Sequence, residues 1–356
     1  MKATAPHVYG IQELYRAVDA PAEIEQGREM TLVNGTPTTY HSDLFVTSSI
    51  VAVHGLNGDS IKTWTSEPEG ICWLNHPDFL PKYVNRARVL TWGYNANVSS
   101  LNGGTTSSDR ILQHAQTLVA QLHADRELEG AQDRPIIFLC HSLGGIIVKR
   151  ALAYSASRSA PKIRHLQSVY TCTYAILFFG TPHNGSNKAR LLSSLQKLAT
   201  LSIPKTAIQF ESSLLKALEK ESETLQNITD QFAPLMCNFC IFFFWEQEKT
   251  DLKYTKECIV DEASAAPILD DTERSGIAGD HRGMCRFKKN TSQDFRTVVA
   301  ALRRYSQQAP EVIHGRLLEA ESLDRDRRGQ EAMKLLRYGR PPMGANLIES
   351  SSSKDC

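Results

Sequence analysis

A serine at position 142 stands at the junction between a short apolar run and a helical pattern. Residues 136–139 are apolar and few enough to form one buried strand, and apolar side chains recur at helical spacing after residue 145. The junction reads Cys140-His141-Ser142-Leu143-Gly144. A sharp strand-to-helix turn lifts a serine hydroxyl out of a sheet, and the helix N-terminus behind it offers unpaired N–H groups to an oxyanion. We therefore predict that Ser142 is a catalytic nucleophile.

This turn departs in one place from its usual form, Gly-x-Ser-x-Gly. Cys140 occupies the position of the first glycine, which must be small because the strand and the helix crowd it. Cysteine is small enough to satisfy that requirement. The alternative is a buried Ser-Gly turn without a catalytic role, but the strand–turn–helix context favours the nucleophile.

A catalytic serine needs a base, and for a serine on such a turn the chain order is serine, acid, histidine. His281, within Asp280-His281-Arg282-Gly283, follows the last predicted strand and precedes a final helix. We predict that it is the base, with an ordinary loop histidine as the alternative. His141 is predicted to be structural, because it points away from the nucleophile along the turn. His183 precedes the acid and breaks the order, which favours a rim or loop-fixing role.

The acid should follow the strand predicted at residues 240–245. Glu246 is the first carboxylate after that strand, and its long side chain can span the gap to a loop histidine. We therefore predict Glu246 as the acid. Asp261 is the main alternative, and Glu248 and Asp251 also stay open.

Two backbone N–H groups are expected to hold the oxyanion. One belongs to the residue after the nucleophile, Leu143. The other comes from the loop after an earlier strand, which reads His54-Gly55-Leu56-Asn57-Gly58, and the Leu56 N–H is the natural candidate.

Apolar, β-branched runs alternate with helical patterns along most of the chain. The predicted strands are residues 50–53, 87–92, 136–139, 174–179, 240–245 and 258–260. Such alternation predicts an α/β fold with a mostly parallel, doubly wound sheet. Ligands of such sheets bind beyond the C-terminal ends of the strands, where the predicted site residues lie.

Residues 186–235 break the alternation, because their leucines follow helical spacing without a strand-like run. We predict a helical lid there, with ordinary surface helices as the alternative. The predicted domain covers residues 1–310 and includes this insertion. Residues 311–356 are predicted to be helical and then disordered.

The composition is that of an ordinary globular protein, with 41% hydrophobic and 22% charged residues and a net charge of +1. Nothing in it favours nucleic acid as a partner. The N-terminus lacks an apolar signal core, so we expect a cytoplasmic protein, with peripheral membrane contact left open. No metal cluster or nucleotide loop is visible, and no cofactor is expected. The oligomeric state is unknown from the sequence.

Together these residues resemble a group of lipase-like serine esterases related to the serine-active-site-containing protein. The fungal branch, often a module of NACHT or repeat proteins, resembles the chain most, and GPI inositol-deacylases resemble it more distantly. The resemblance spans about residues 45–305. It rests on residues 51–58, Thr63-Trp64, Cys72-Trp73-Leu74, residues 88–94, 138–145 and 179–185, Val260-Asp261 with Ser264-Ala265, and Asp280-His281 with residues 284–287.

The resemblance implies an α/β-hydrolase fold and an esterase or lipase-like activity, and it supports Ser142 and His281 but does not decide the acid. The favoured function is a serine hydrolase that cleaves a lipid or small-molecule ester through an acyl-enzyme. The alternatives are a thioesterase or acyltransferase acting on a secondary metabolite, and a non-catalytic interaction module. Retention of both serine and histidine favours an enzyme.

Overall fold

The centre of the protein is a seven-stranded sheet flanked by helices. The computed structural model describes residues 9–17, 46–96, 107–183, 193–194, 196–198, 227–252 and 255–338. In chain order the strands are β1 (Gly10–Arg16), β2 (Ser48–Val53), β3 (Ala87–Gly93), β4 (Ile136–His141), β5 (Thr173–Phe179), β6 (Cys240–Glu246), β7 (Thr250–Asp251), β8 (Lys256–Glu257) and β9 (Thr272–Ile277).

The strand order in the large sheet is β1-β3-β2-β4-β5-β6-β9. The strands run parallel except β1, which is antiparallel to β3. In the register of this sheet, Val53 lies beside Cys140, His141 beside Phe179, and Phe179 beside Phe244. The residues that follow β2, β4, β5 and β6 therefore emerge at one edge of the sheet.

The central strands are the apolar runs that the sequence predicted. Every residue of β2, β3, β4 and β5 is buried, so both faces of the sheet are covered, as expected for parallel strands in an α/β fold. Aromatic rings on β5 and β6 stack between the strands: Phe178 on Phe243 at 5.8 Å, and Phe179 on Phe244 at 4.8 Å. The parallel order, the antiparallel first strand and the turn at Ser142 define an α/β-hydrolase fold.

The two edge strands were not predicted, and one predicted strand is wrong. β1 and β9 are only partly buried and carry charged residues, so they lack an apolar run. Residues 258–260, predicted as a strand, form a bend after the small β7–β8 hairpin. Ile259 and Val260 are apolar because this bend packs inward, and the Val260 N–H donates to a carboxylate at 2.7 Å instead of to a strand.

The helices are α1 (Leu80–Tyr83), α2 (Ser107–Leu128), α3 (Leu143–Ala156), α4 (Ser168–Cys172), α5 (Glu262–Ala265) and α6 (Gln293–Tyr338). Short 3₁₀ turns occupy Lys62–Trp64, Pro161–Gln167, Ala233–Asn238 and Gly283–Cys285. The helix α3 follows Ser142 directly, as predicted for the residues after the turn. In the part of the chain that the structure describes, no helix is long and apolar enough to cross a membrane.

Most of the predicted lid, residues 186–235, lies outside the described residues, including Leu214 and Leu218. Residues 193–194, 196–198 and 227–232 are helical. Leu198, Ile228 and Phe232 are buried, so these described ends of the insertion pack against the body.

The chain divides into two compact units, Met1–His314 and Gly315–Cys356. The predicted boundary at residue 310 falls shortly before this division. Within the first unit, α6 buries Phe295, Leu302 and Ile313. In the second unit the chain is helical to Tyr338, and the predicted disordered end of the chain lies outside the described residues.

A buried lysine, Lys149, lies on α3 close to Phe232. Lys149 is 2% exposed, and its Nζ atom lies 5.7 Å from the centre of the Phe178 ring and 5.9 Å from that of Phe232. Burial lowers the pKa of Lys149 to about 7, and the neighbouring Cys140 opposes this shift. Between about pH 7 and the ordinary lysine pKa of 10.5, the unfolded chain binds a proton that the folded chain lacks. The stability contributed at this position therefore rises with pH across that window.

We predict that Lys149→Met removes this pH dependence. The variant should be more stable than the wild type at pH 7, and its advantage should shrink by about 1.4 kcal/mol per pH unit between pH 8 and 9. Urea unfolding at several pH values measures the difference. Lys82→Met, at an exposed lysine of α1, serves as the control and should show no such trend. Stability curves that run parallel for Lys149→Met and the wild type would contradict the prediction.

Candidate active site

Ser142 sits on a sharp turn between β4 and α3. Its backbone has φ 53° and ψ −123°, a conformation that L-residues rarely adopt and that costs on the order of 1–3 kcal/mol. The turn is fixed because the Ser142 N–H donates to Phe179 O at 2.8 Å, and the Thr181 hydroxyl donates to Ser142 O at 3.0 Å. The serine is 1% exposed. This is the geometry predicted for a nucleophile elbow.

Small residues let other segments approach this turn. A Cβ atom on Gly144 would lie 2.5 Å from the carbonyl oxygens of Val53 and His54, and one on Gly145 would lie 2.3 Å from Thr181 Oγ1. These distances are too short for any side chain. The backbone of α3 therefore packs directly against β2 and against the segment after β5.

The loop after β2 passes close to Ser142. A Cβ atom on Gly55 would lie 2.7 Å from Ser142 Cβ. Tyr94 holds this loop, because its hydroxyl donates to His54 O at 3.0 Å and its ring stacks on the His54 ring. Leu56 follows Gly55, so this predicted oxyanion donor lies on the loop that approaches the serine.

Leu143, the other predicted oxyanion donor, is the first residue of α3. The N–H groups in the first turn of an α-helix have no acceptor one turn earlier. They are therefore available to a negatively charged ligand, which the positive end of the helix dipole also attracts. Leu56 and Leu143 thus flank Ser142 from the loop side and from the helix side.

His281 and Glu246 form a buried pair at the same edge of the sheet. His281 Nδ1 lies 3.2 Å from Glu246 Oε1, and the two residues are 1% and 3% exposed. The Val260 N–H also donates to Glu246 Oε1, and the Thr250 hydroxyl lies 3.5 Å from Oε2. The carboxylate is therefore fixed by hydrogen bonds from the bend and the hairpin that follow β6.

The other candidates for the acid lie elsewhere. Asp261 is exposed and caps α5, because its side chain accepts the Ser264 N–H at 3.0 Å. Asp251 is exposed and pairs with Lys256 at 3.3 Å, and Glu248 is exposed. Of the predicted candidates, Glu246 is the carboxylate that contacts His281.

The loop that carries His281 has its own supports. The Asp280 side chain accepts the Gly283 N–H at 2.7 Å, and Trp73 Nε1 donates to Cys285 O at 2.9 Å. The imidazole lies over Gly180, where a Cβ atom would be 3.0 Å from His281 Cε1. Gly180 follows Phe179, and the Phe179 carbonyl accepts the backbone N–H of Ser142. The imidazole of His281 therefore lies against the residue that follows this contact with the serine.

Ser142 Oγ and His281 Nε2 are not hydrogen-bonded to each other in this structure. Both atoms are buried, and neither has a hydrogen-bond partner among the residues that the structure describes. These are the two atoms that a proton transfer would join. Catalytic hydrogen bonds are often long in free enzymes and shorten when substrate binds.

His141, predicted as structural, and His183, predicted as a rim or loop-fixing residue, are both buried. His183 packs its ring on Phe178 and Phe243, and its backbone N–H donates to Ser264 O. Burial holds the pKa of His183 well below its ordinary value. His141 lies against the loop of His281, to which it donates a hydrogen bond through Nε2 at 2.8 Å.

The sequence reading missed several residues that hold this site. The Thr250 hydroxyl oxygen accepts the backbone N–H of His281 at 3.2 Å. The Thr181 hydroxyl donates to the Ser142 carbonyl in the elbow, and the Val260 backbone N–H donates to Glu246. Val260 directly precedes Asp261, and it is the Val260 backbone N–H, not the Asp261 carboxylate, that takes part in the site. Thr250 carries no signal in one sequence, because a threonine near a turn is common.

We predict that Gly145→Ala destabilises the protein by about 1–3 kcal/mol, because the added methyl group must displace Thr181 or the elbow. Chemical denaturation measures the loss. The matched control is Gly315→Ala in α6, where a Cβ atom meets nothing within 4 Å. That change should be neutral or stabilise by up to about 1 kcal/mol. Equal stability of the Gly145 variant and the wild type would show that the elbow is not tightly packed.

A family model described as "Putative serine esterase (DUF676)" matches residues 48–230, just over half of the chain. The match includes the loop after β2 and the elbow with Ser142, and it ends before Glu246 and His281.

Curated relatives are similar over a shorter part of their own length. Protein SERAC1 from Bos taurus is 25% identical over 223 residues, which cover 55% of this chain and 31% of that protein. Protein SERAC1 from Homo sapiens is 24% identical over 207 residues, covering 54% and 29%. The chain thus spans about a third of the length of these relatives, which are vertebrate and not fungal proteins.

Solved structures with a likeness to the chain include a lipase-esterase related protein from Clostridium acetobutylicum. It is 11% identical with a TM-score of 0.38, over 73% of this chain and 95% of that one. A highly thermostable carboxyl esterase from Bacillus coagulans is 12% identical with a TM-score of 0.38, over 74% and 91%. The match of the family model, over more than half of the chain, decides the assignment: the protein belongs to this serine esterase family.

Proposed function

We propose that the protein is a serine hydrolase that cleaves carboxylic esters through Ser142, His281 and Glu246. One observation carries the proposal: a serine in a strained backbone conformation lies at the sheet edge where a histidine is paired with a buried glutamate, and its hydroxyl has no hydrogen-bond partner among the described residues. The family membership supports the same chemistry.

The first half of the reaction forms an acyl-enzyme. His281 Nε2 takes the proton of Ser142 Oγ as the oxygen attacks the ester carbonyl carbon. The carbonyl oxygen becomes an oxyanion that the N–H groups of Leu56 and Leu143 receive. The tetrahedral intermediate collapses, the bond to the alcohol breaks, and His281 gives its proton to the departing alcohol.

The second half regenerates the serine. A water molecule gives a proton to His281 and attacks the acyl carbon, and the ester bond to Ser142 Oγ breaks as that oxygen recovers the proton. The products are an acid and an alcohol. Throughout, Glu246 accepts the Nδ1–H of His281, which keeps Nε2 free to receive a proton and stabilises the imidazolium.

The substrate proposed is a lipid or small-molecule ester. The residues next to Ser142 include the buried apolar side chains of Leu143 and Phe179, which favours an uncharged acyl group over a charged one. We expect the insertion of residues 186–235 to select acyl length, and a panel of esters with different chain lengths tests this choice. A cytoplasmic location, with peripheral membrane contact left open, stays a prediction.

We predict that Ser142→Ala abolishes ester hydrolysis and labelling by a fluorophosphonate probe, while the melting temperature stays close to that of the wild type. Loss of a triad nucleophile costs on the order of 10⁶ in kcat. Turnover of chromogenic acyl esters measures the loss. A variant that keeps more than about a tenth of the wild-type turnover would contradict the role of Ser142.

We predict that Glu246→Gln lowers kcat by roughly 10⁴-fold, because the imidazole loses the partner that fixes its tautomer. Asp261→Asn is the matched control, because it changes an exposed carboxylate that contacts α5 and not His281. The control should keep kcat within about threefold of the wild type, since exposed changes away from a site have small effects. The reverse order of effects would make Asp261 the acid.

A further inference from the structure

His141 links the strand that carries the nucleophile to the loop that carries the base. It is the last residue of β4 and directly precedes Ser142. Its Nε2 atom lies 2.8 Å from the backbone carbonyl of His281, and the two imidazole rings are 4.9 Å apart. His141 is 7% exposed, so this contact is largely shielded from water.

The protonation of His141 follows from this contact. A backbone carbonyl can only accept a hydrogen bond, so Nε2 of His141 must carry the hydrogen. Burial, together with the neighbouring His281, holds the pKa of His141 well below its ordinary value. The ring is therefore neutral and commits its one N–H to His281. A neutral donor at this place does not repel the imidazolium that forms on His281 during the reaction.

The contact matters because His281 lies on a loop after β9, not within a helix or a strand. Its ring is held by Glu246 at the end of β6, and its backbone N–H donates to Thr250 on β7. The bond to the carbonyl of His281 comes instead from β4, next to the serine. A displacement of about 1 Å between reacting groups can cost 10²-fold in rate.

We propose that His141 is a positioning residue, which sets the distance between Ser142 and His281 by holding the carbonyl of the base. This inference rests on the proposed esterase function and extends it to a residue outside the triad. It also explains the use of a polar side chain beside the nucleophile, where an apolar residue would complete the buried strand.

The test compares two amide variants of equal polarity and different reach. In His141→Gln the amide nitrogen can occupy the place of Nε2 and donate to the carbonyl of His281. In His141→Asn the amide is one methylene shorter and cannot reach it. His141→Leu, which removes all hydrogen bonding, completes the series. Steady-state kinetics on one chromogenic ester, the rate of fluorophosphonate labelling and thermal melting are measured for each.

We expect His141→Asn and His141→Leu to lower kcat by about 10–100-fold with KM within about threefold of the wild type. Labelling should slow in parallel, because it depends on the same serine and base. His141→Gln should keep kcat within about fivefold, even if all three variants lose some thermal stability.

Several results would overturn the proposal. Equal losses in the Gln and Asn variants would assign His141 to packing alone, as would a loss confined to KM or a Leu variant with wild-type kcat. In these cases the wild type still hydrolyses the ester and labels at Ser142, so the proposed function stands. A wild type that neither turns over nor labels would end the proposed function and this inference together.

Discussion

The architecture of the site depends on the close approach of backbone segments around Ser142. The serine backbone has a positive φ, and the cost of that conformation must be met by the contacts around it. Gly55, Gly144 and Gly145 allow these contacts, since a side chain at any of them would collide with the turn, with β2 or with Thr181. The same approach brings the loop with Leu56 to the serine. One steric arrangement thus brings together the proposed nucleophile, the proposed oxyanion donors and the helix N-terminus.

The sequence predicted the central part of the fold because buried parallel strands leave a clear trace. Each of β2 to β6 is buried over most of its length and contains a run of mainly apolar residues. The edge strands lack such an apolar run. Among the described residues, β9 (Thr272–Ile277) has one neighbouring strand, and its polar residues form hydrogen bonds with α5 and α6. Residues 258–260 misled in the opposite direction, because two buried apolar residues in a bend look like a short strand.

The same contrast holds within the site. Ser142 and His281 could be proposed as nucleophile and base because the elbow has a local pattern and the chain order of such a triad is fixed. Glu246 could be preferred over Asp261 but not separated from it, since both follow apolar residues and the difference is one of tertiary contact. The Val260 N–H donates to Glu246, whereas the Asp261 side chain accepts the Ser264 N–H on α5. The contact from His141 to the base joins residues far apart in sequence, which no local pattern records.

The charged residues of the two edge strands bear on the behaviour of the protein at high concentration. An edge strand offers unpaired N–H and C=O groups to any other extended chain, and this is a common route to aggregation. On β1, Glu13 and Arg16 pair with each other at 2.7 Å, and on β9, Arg274 pairs with Glu262 at 2.6 Å. A second strand that docked on either edge would have to strip water from these ion pairs. The charged residues that made both edge strands hard to predict thus also oppose the pairing of either edge with a strand from another molecule.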